Sequence, residues 1–204
     1  WKPFIINDYL RKIDNGDLLI YCDLRWQPNP KVKSLQLHEL YLKTLKTSHG
    51  ITIPRYTEDD KFLVDKHLKT PRLITTKNKY FTHSSVFDHF KLNNISLVKD
   101  KFQILAGAHC IVKNTNTTGI YEEFQNIAEN NPLLFSGRLK KTSNDKDLVA
   151  CRHDQSVWNL ICEKYDISSF DAVSSSEPPS KNTMQIIVEI FNGAIKRSNL
   201  SKPI

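Results

Sequence analysis

The feature that most limits how this chain can fold is the run Gly16-Asp-Leu-Leu-Ile-Tyr-Cys-Asp23, almost unbroken apolar and ending on an acid. A short apolar run without alternation predicts a strand buried on both faces, as in a mostly parallel sheet. The preceding residues fit that reading. Pro3 takes a first-turn position, and Phe4, Ile5, Tyr9, Leu10 and Ile13 follow mostly at steps of three and four, giving a helix with one buried stripe. The helix stops at the turn dipeptide Asn15-Gly16. Helix, tight turn and buried strand make half of an α/β unit.

With 204 residues, 39% hydrophobic and 25% charged, the chain has the size of one α/β domain spanning 1–204. Its core is expected within 1–165. Trp26 to Pro30 reads as a loop, Ser34 to Leu45 as a helix, Ile51 to Tyr56 as an extended piece, Glu58 to Leu68 as a short helix and Arg72 to Thr76 as a strand. Ser84-Ser85 can cap a helix carrying Val86, Phe87 and Phe90. Gln103 to Lys113 reads as a long strand interrupted by Gly107, where a bulge or a close approach is expected. Thr117 or Thr118 caps a helix ending before Asn131-Pro132, and Arg138 to Asp147 reads as a mobile loop. His153 opens the clearest helix of the C-terminal half, with Val157, Leu160, Ile161 and Tyr165 on its buried side. Residues 166–183 form a linker, and 184–204 close the chain as an apolar helix or strand.

Several function classes are disfavoured. No apolar run approaches the roughly 20 residues of a membrane helix, so no transmembrane segment is expected and the expected location is cytoplasmic. Cys22, Cys110, Cys151 and Cys162 form no C-x-x-C pair and read as reduced structural thiols. The net charge of +7 is concentrated in Lys31 to Lys79, which holds 11 Lys and Arg against 5 Asp and Glu. That favours a phosphate-bearing or acidic partner, or else a solvated basic face. Without basic blocks interleaved with aromatics, nucleic acid is not expected as a partner. Six glycines leave little material for a phosphate-cradling loop, and no nucleotide-loop, nucleophile-elbow or zinc-protease motif occurs.

Open α/β sheets bind ligands at the carboxyl ends of their strands, where Asp23 is expected. It binds there or caps the turn toward Trp26. Arg25 leaves the same strand end, and the pair could hold a ribose hydroxyl and a phosphate. Asp154 falls in the first turn of its helix, where the macrodipole favours a carboxylate. His153, Asp154 and Gln155 offer three different hydrogen-bonding inventories, suited to several sugar hydroxyls.

The order of these pieces resembles one family. Trp1-Lys-Pro-Phe-Ile-Ile, a helix and then Gly16 to Asp23 closely resemble the segment of GT-A glycosyltransferases in which a helix leads to the strand ending in D-x-D. The likeness is to bacterial and viral glycosyltransferase-like proteins with W-K-P followed by Y-x-D-x-G. Gln103-Ile-Leu-Ala-Gly-Ala-His-Cys-Ile-Val-Lys-Asn114 is similar to their Gly-containing acceptor-side strand, and Arg152-His-Asp-Gln-Ser-Val-Trp158 resembles their R-H-D-Q-S-I helix start. These matches cover most of residues 1–165.

The resemblance implies a GT-A-like, Rossmann-like, mostly parallel sheet flanked by helices, with its first strand or strands lying before Trp1. It implies transfer of a sugar from a nucleotide-diphosphate sugar to a hydroxyl of a glycan or lipid-linked acceptor, in surface polysaccharide or glycan synthesis. The alternative is a catalytically degenerate sugar- or nucleotide-binding module. Asp23 would contact the ribose or a metal-bridged diphosphate, with Mn or Mg as the ion. Lys2, Arg25, His153 and Gln155 would join it in binding the donor, and Gly107 would line the sugar pocket. Asp154 would be the catalytic base if transfer inverts configuration, and would orient the donor if it retains. The departure is Asp23-Leu24-Arg25, D-x-R in place of D-x-D, where Arg25 would supply part of the charge a metal gives to the leaving diphosphate.

Overall fold

A computed structural model describes residues 1–23, 34–58, 61–64, 72–136, 138–167 and 169–171. Helix α1, Lys2–Lys12, starts with Pro3 at a first-turn position and ends with Arg11 and Lys12 in its last turn. It turns at Gly16, whose φ of +94° few other residues adopt. The chain then enters β1, Leu18–Cys22. Next come α2, Ser34–Leu45, and β2, Ile51–Arg55. A two-stranded hairpin, β3, Lys61–Val64, and β4, Arg72–Thr75, follows. Three short helices succeed it: α3, Asn78–Phe81, α4, Ser84–Phe90, and α5, Ile95–Asp100. Then β5, Ala108–Val112, α6, Thr115–Asn130, α7, His153–Lys164, and β6, Ser169–Asp171, complete the described chain.

The main sheet has the order β1-β5-β2-β6. Strands β1 and β5 pair antiparallel from Leu18 opposite Val112 to Cys22 opposite Ala108, and β2 also meets β5 antiparallel. Among the described strands only β2 and β6 run parallel. The α/β class therefore holds, while the sheet of the described residues is mainly antiparallel and the expected mostly parallel one is not seen among them. An apolar run cannot tell a parallel strand from an antiparallel one, because pairing direction is set by where the chain returns.

Strand β1 was expected to be buried on both faces, yet it is the outer strand among those described and most of it is half-buried. One face of the sheet carries the core. Ile51, Ile53 and Ile111 pack with Ile6 and Leu10 of α1, Ile120, Tyr121 and Phe124 of α6, and Val157, Trp158, Leu160 and Ile161 of α7. Helix α2 lies against β2 and β5, and Leu40 and Cys110, both fully buried, stand outside that cluster.

Other expectations change as well. Lys61 to Val64 falls in the stretch read as a helix, but it pairs residue for residue with Arg72–Thr75. Phe-Leu-Val has the composition of a strand, and cross-strand partners decide between the two. The cap of α6 is Asn114, with Thr117 as the returning member of a capping box, and α4 is capped by the His83 side chain. The strand read from Gln103 to Lys113 begins only at Ala108; Ala106 and Gly107 turn into it, and Ile104 bridges Arg55. Part of the stretch read as a mobile loop is a 3-10 turn, Ser143–Asp145, anchored by buried Asp145. Within the stretch read as a linker, Ser169–Asp171 is a strand. Residues 172–204, with the rest of that linker and the terminal segment, lie outside the described residues, as do Arg25 and the loop Trp26 to Pro30.

Candidate active site

Four segments meet at one end of the β1–β5 pair. Lys2 opens the stripe Lys2, Ile6, Leu10 on α1, with the four-residue spacing that places side chains on one helix face. A lysine at that position is carried inward, and Lys2 is only 4% exposed. A cation in the first turn of a helix opposes the macrodipole, and a buried ammonium needs partners. Its partners come from elsewhere in the chain. Lys2 Nζ lies 2.6 Å from Asp154 Oδ2 and 3.4 Å from Asp23 Oδ1, and donates to the Ala106 carbonyl at 2.5 Å. The ammonium is thus held by an ion pair to Asp154 and by hydrogen bonds to the Ala106 carbonyl and, at 3.5 Å, to Asp23 Oδ2.

Asp23 is brought there by the ladder, because its amide donates to Gly107 O at 2.8 Å and so extends the β1–β5 pairing by one step. Two residues back on the same strand face, Tyr21 donates its hydroxyl to Asp23 Oδ1 at 2.6 Å. Burial, then the carboxylate beside it, pushes the Tyr21 phenol well above its ordinary range, so it remains a donor. Asp154 stands in the first turn of α7. The residue before it, His153, takes a left-handed φ of +46°, a conformation costing a non-glycine residue roughly 1 kcal/mol that gathers at functional sites. Both carboxylate side chains are one-third exposed. Asp154 lines a cleft of about 400 Å³ with Trp1, Lys2, Phe135, Ser136 and His153. Its Oδ1 takes no hydrogen bond from the described residues.

Behind the ion pairs lies a buried aromatic layer. His109, fully buried, meets the Ala106 carbonyl through Nε2 at 3.1 Å and the Tyr121 hydroxyl through Nδ1 at 2.7 Å. A carbonyl can only accept, so Nε2 carries the proton and Nδ1 accepts from Tyr121. Burial, then the charge of Lys2, holds the imidazole down to about 3, which keeps it neutral. Its ring stacks on Trp158 at 4.9 Å and meets Tyr21 edge-on at 5.5 Å. The Ala106 carbonyl is thereby fixed from both sides.

The structure thus brings together Lys2, Asp23 and Asp154, with His153 on the rim. Gly107 contributes its carbonyl to Asp23 and lies in the turn beside the cluster. Gln155 is directed elsewhere, donating to Gln103 at 3.1 Å. Lys2, at 4% exposure, is turned to the protein and so acts on the carboxylates from behind. Tyr21, Ala106, His109, Tyr121 and Trp158 were not singled out in the sequence. All but Tyr121 lie within the three stretches quoted for the resemblance, and Tyr21 stands two strand positions before Asp23.

With Lys2 in place, the site does not fit a divalent ion. Such an ion needs several oxygens at about 2.1 Å in near-octahedral array. Here the two carboxylates and the carbonyl are directed at an ammonium that already takes that place. Among the described residues no group of three or more His, Cys, Asp or Glu could hold a metal. Cys22, Cys110, Cys151 and Cys162 are all free thiols. No helix among the described residues is long and apolar enough to cross a membrane. Comparisons with protein families, with curated proteins and with solved structures return no match.

Proposed function

We propose that the chain is a GT-A-like glycosyltransferase domain that moves a sugar from a nucleotide-diphosphate sugar to a hydroxyl of a glycan or lipid-linked acceptor. One observation carries the reading. Lys2 joins Asp23 and Asp154, so the three stretches resembling that class meet through the polar groups that its chemistry would use. The cleft beside Asp154, at about 400 Å³, has the size of a site for a small ligand.

In the reaction the acceptor oxygen bonds to the anomeric carbon while the bond from that carbon to the diphosphate oxygen breaks. The nucleoside diphosphate leaves with the electron pair. Asp154 Oδ1 faces the acceptor hydroxyl and takes its proton, and Lys2 fixes the carboxylate through Oδ2. Asp23, held by Tyr21, orients the donor at the strand end. The D-x-R sequence at Asp23 and Arg25 favours one other reading, a binding module without turnover.

The test is thermal shift of the protein with UDP, GDP, CDP and their sugars, followed by hydrolysis and transfer assays on each hit. Stabilisation by one nucleotide family with release of its diphosphate supports the transferase. Stabilisation without turnover supports the module, and no response to any nucleotide or sugar nucleotide removes both.

A further inference from the structure

We infer that the Lys2 ammonium is a built-in replacement for the divalent cation between Asp23 and Asp154, so that the pocket binds its ligand without a metal. The identity of that ligand rests on the glycosyltransferase reading; the cation exchange itself rests on geometry alone. Lys2 is 4% exposed, yet its head group is not buried among apolar atoms: its nitrogen touches Asp154, Asp23 and the Ala106 carbonyl. That is the oxygen set a metal would draw on, two carboxylates from different elements and a main-chain carbonyl.

The arrangement is also braced. The Ala106 carbonyl accepts from His109 as well as from Lys2, and His109 is locked by Tyr121 and Trp158. Tyr21 donates to Asp23 Oδ1, the oxygen that also lies 3.4 Å from Lys2. An ammonium carries one positive charge and a divalent ion two. With Lys2 in place the two carboxylates are half neutralised and retain one negative charge between them. Displacing the ammonium to admit a metal would leave it buried beside the neutral aromatic layer without acceptors, an outcome that opposes exchange.

Mn²⁺ binding decides the matter without reference to turnover. In metal-stripped buffer, free Mn²⁺ is followed by electron paramagnetic resonance as protein is added. Wild-type protein is expected to leave the signal unchanged at this site, with Asp23→Asn and Asp154→Asn indistinguishable from it. Lys2→Met, close in length but uncharged, is expected to gain a stoichiometric Mn²⁺ site that Lys2→Met/Asp154→Asn loses. Mn²⁺ binding by wild type that either single asparagine variant abolishes would overturn the inference. So would a folded Lys2→Met protein that takes up no Mn²⁺. If Lys2→Met does not fold, the wild-type titration and Lys2→Arg, expected to bind none, still separate the two outcomes. Calorimetry with UDP and GDP in EDTA and in Mn²⁺ adds the ligand arm, with affinities expected to agree within about twofold and a gain of about tenfold in Mn²⁺ counting against the inference. Absence of nucleotide binding in both buffers sinks the transferase reading and leaves the Mn²⁺ titration standing.

Discussion

Asp154 meets Lys2 through Oδ2 and lines the cleft, so an amide in its place keeps the shape and removes the charge. Asp154→Asn is expected to lower sugar transfer by at least about 100-fold, the scale of a lost general base. Steady-state assay beside a melting curve checks it: near-normal turnover in a folded variant would count against the role. At Asp145 the consequence is for stability. Burial alone would raise its carboxyl, but the Ser84 and Thr142 amides and hydroxyls, which donate to it, bring it down to about 2 from 3.8. His83 stands 3.2 Å away. The folded value is the lower one, so the contribution is complete above about pH 4 and disappears as pH falls through 2. It amounts to about 2 kcal/mol. Urea unfolding at pH 7 and at pH 2.5 should show a loss of stability larger by roughly 1.5 kcal/mol in the wild type than in Asp145→Asn.

At the scale of elements, the junctions of the sheet carry the constraints. Gly50 sits between α2 and β2 with φ +67°, and a Cβ there would lie 2.6 Å from Asn114 Nδ2 and 2.9 Å from Val112 O. Gly16, at φ +94°, has nothing within 4 Å of such an atom. Gly50→Ala must both strain the backbone and displace a carbonyl in the sheet, whereas Gly16→Ala strains the backbone alone. The first is expected to cost about 2–4 kcal/mol and the second about 1 kcal/mol, read from denaturation midpoints. Equal losses would show that the close approach to β5 carries no weight. Several element starts were legible from the sequence. Pro3 announces α1 and Gly16 its end, because both act through local backbone geometry. Of the hairpin, β4 was legible as a strand but β3 was not, because Lys61 to Val64 takes extended structure only once Arg72–Thr75 lies beside it.

Across the whole molecule, the buried aromatic layer couples the site to stability. His109 protonates at about 3 in the fold and near 6.5 when unfolded, so between those values the unfolded chain binds the additional proton. Stability is therefore complete above about pH 6.5 and falls as pH drops toward 3. Calorimetric melting from pH 7.5 to pH 4 should show a declining Tm, and His109→Gln should flatten that slope while lowering the plateau. Trp158, fully buried against His109, Tyr121 and Phe124, is expected to cost about 3–5 kcal/mol when cut to alanine. The sequence by itself determined the α/β class, the first helix and strand, and the carboxylates at positions 23 and 154 as the groups to watch, since these follow from periodicity, turn residues and local motif. It did not determine the antiparallel pairing, the place of β1 at the sheet edge or the burial of Lys2 between two acids. Those depend on contacts between segments far apart in the chain, and no local pattern records which distant segment will supply a buried charge with its partners.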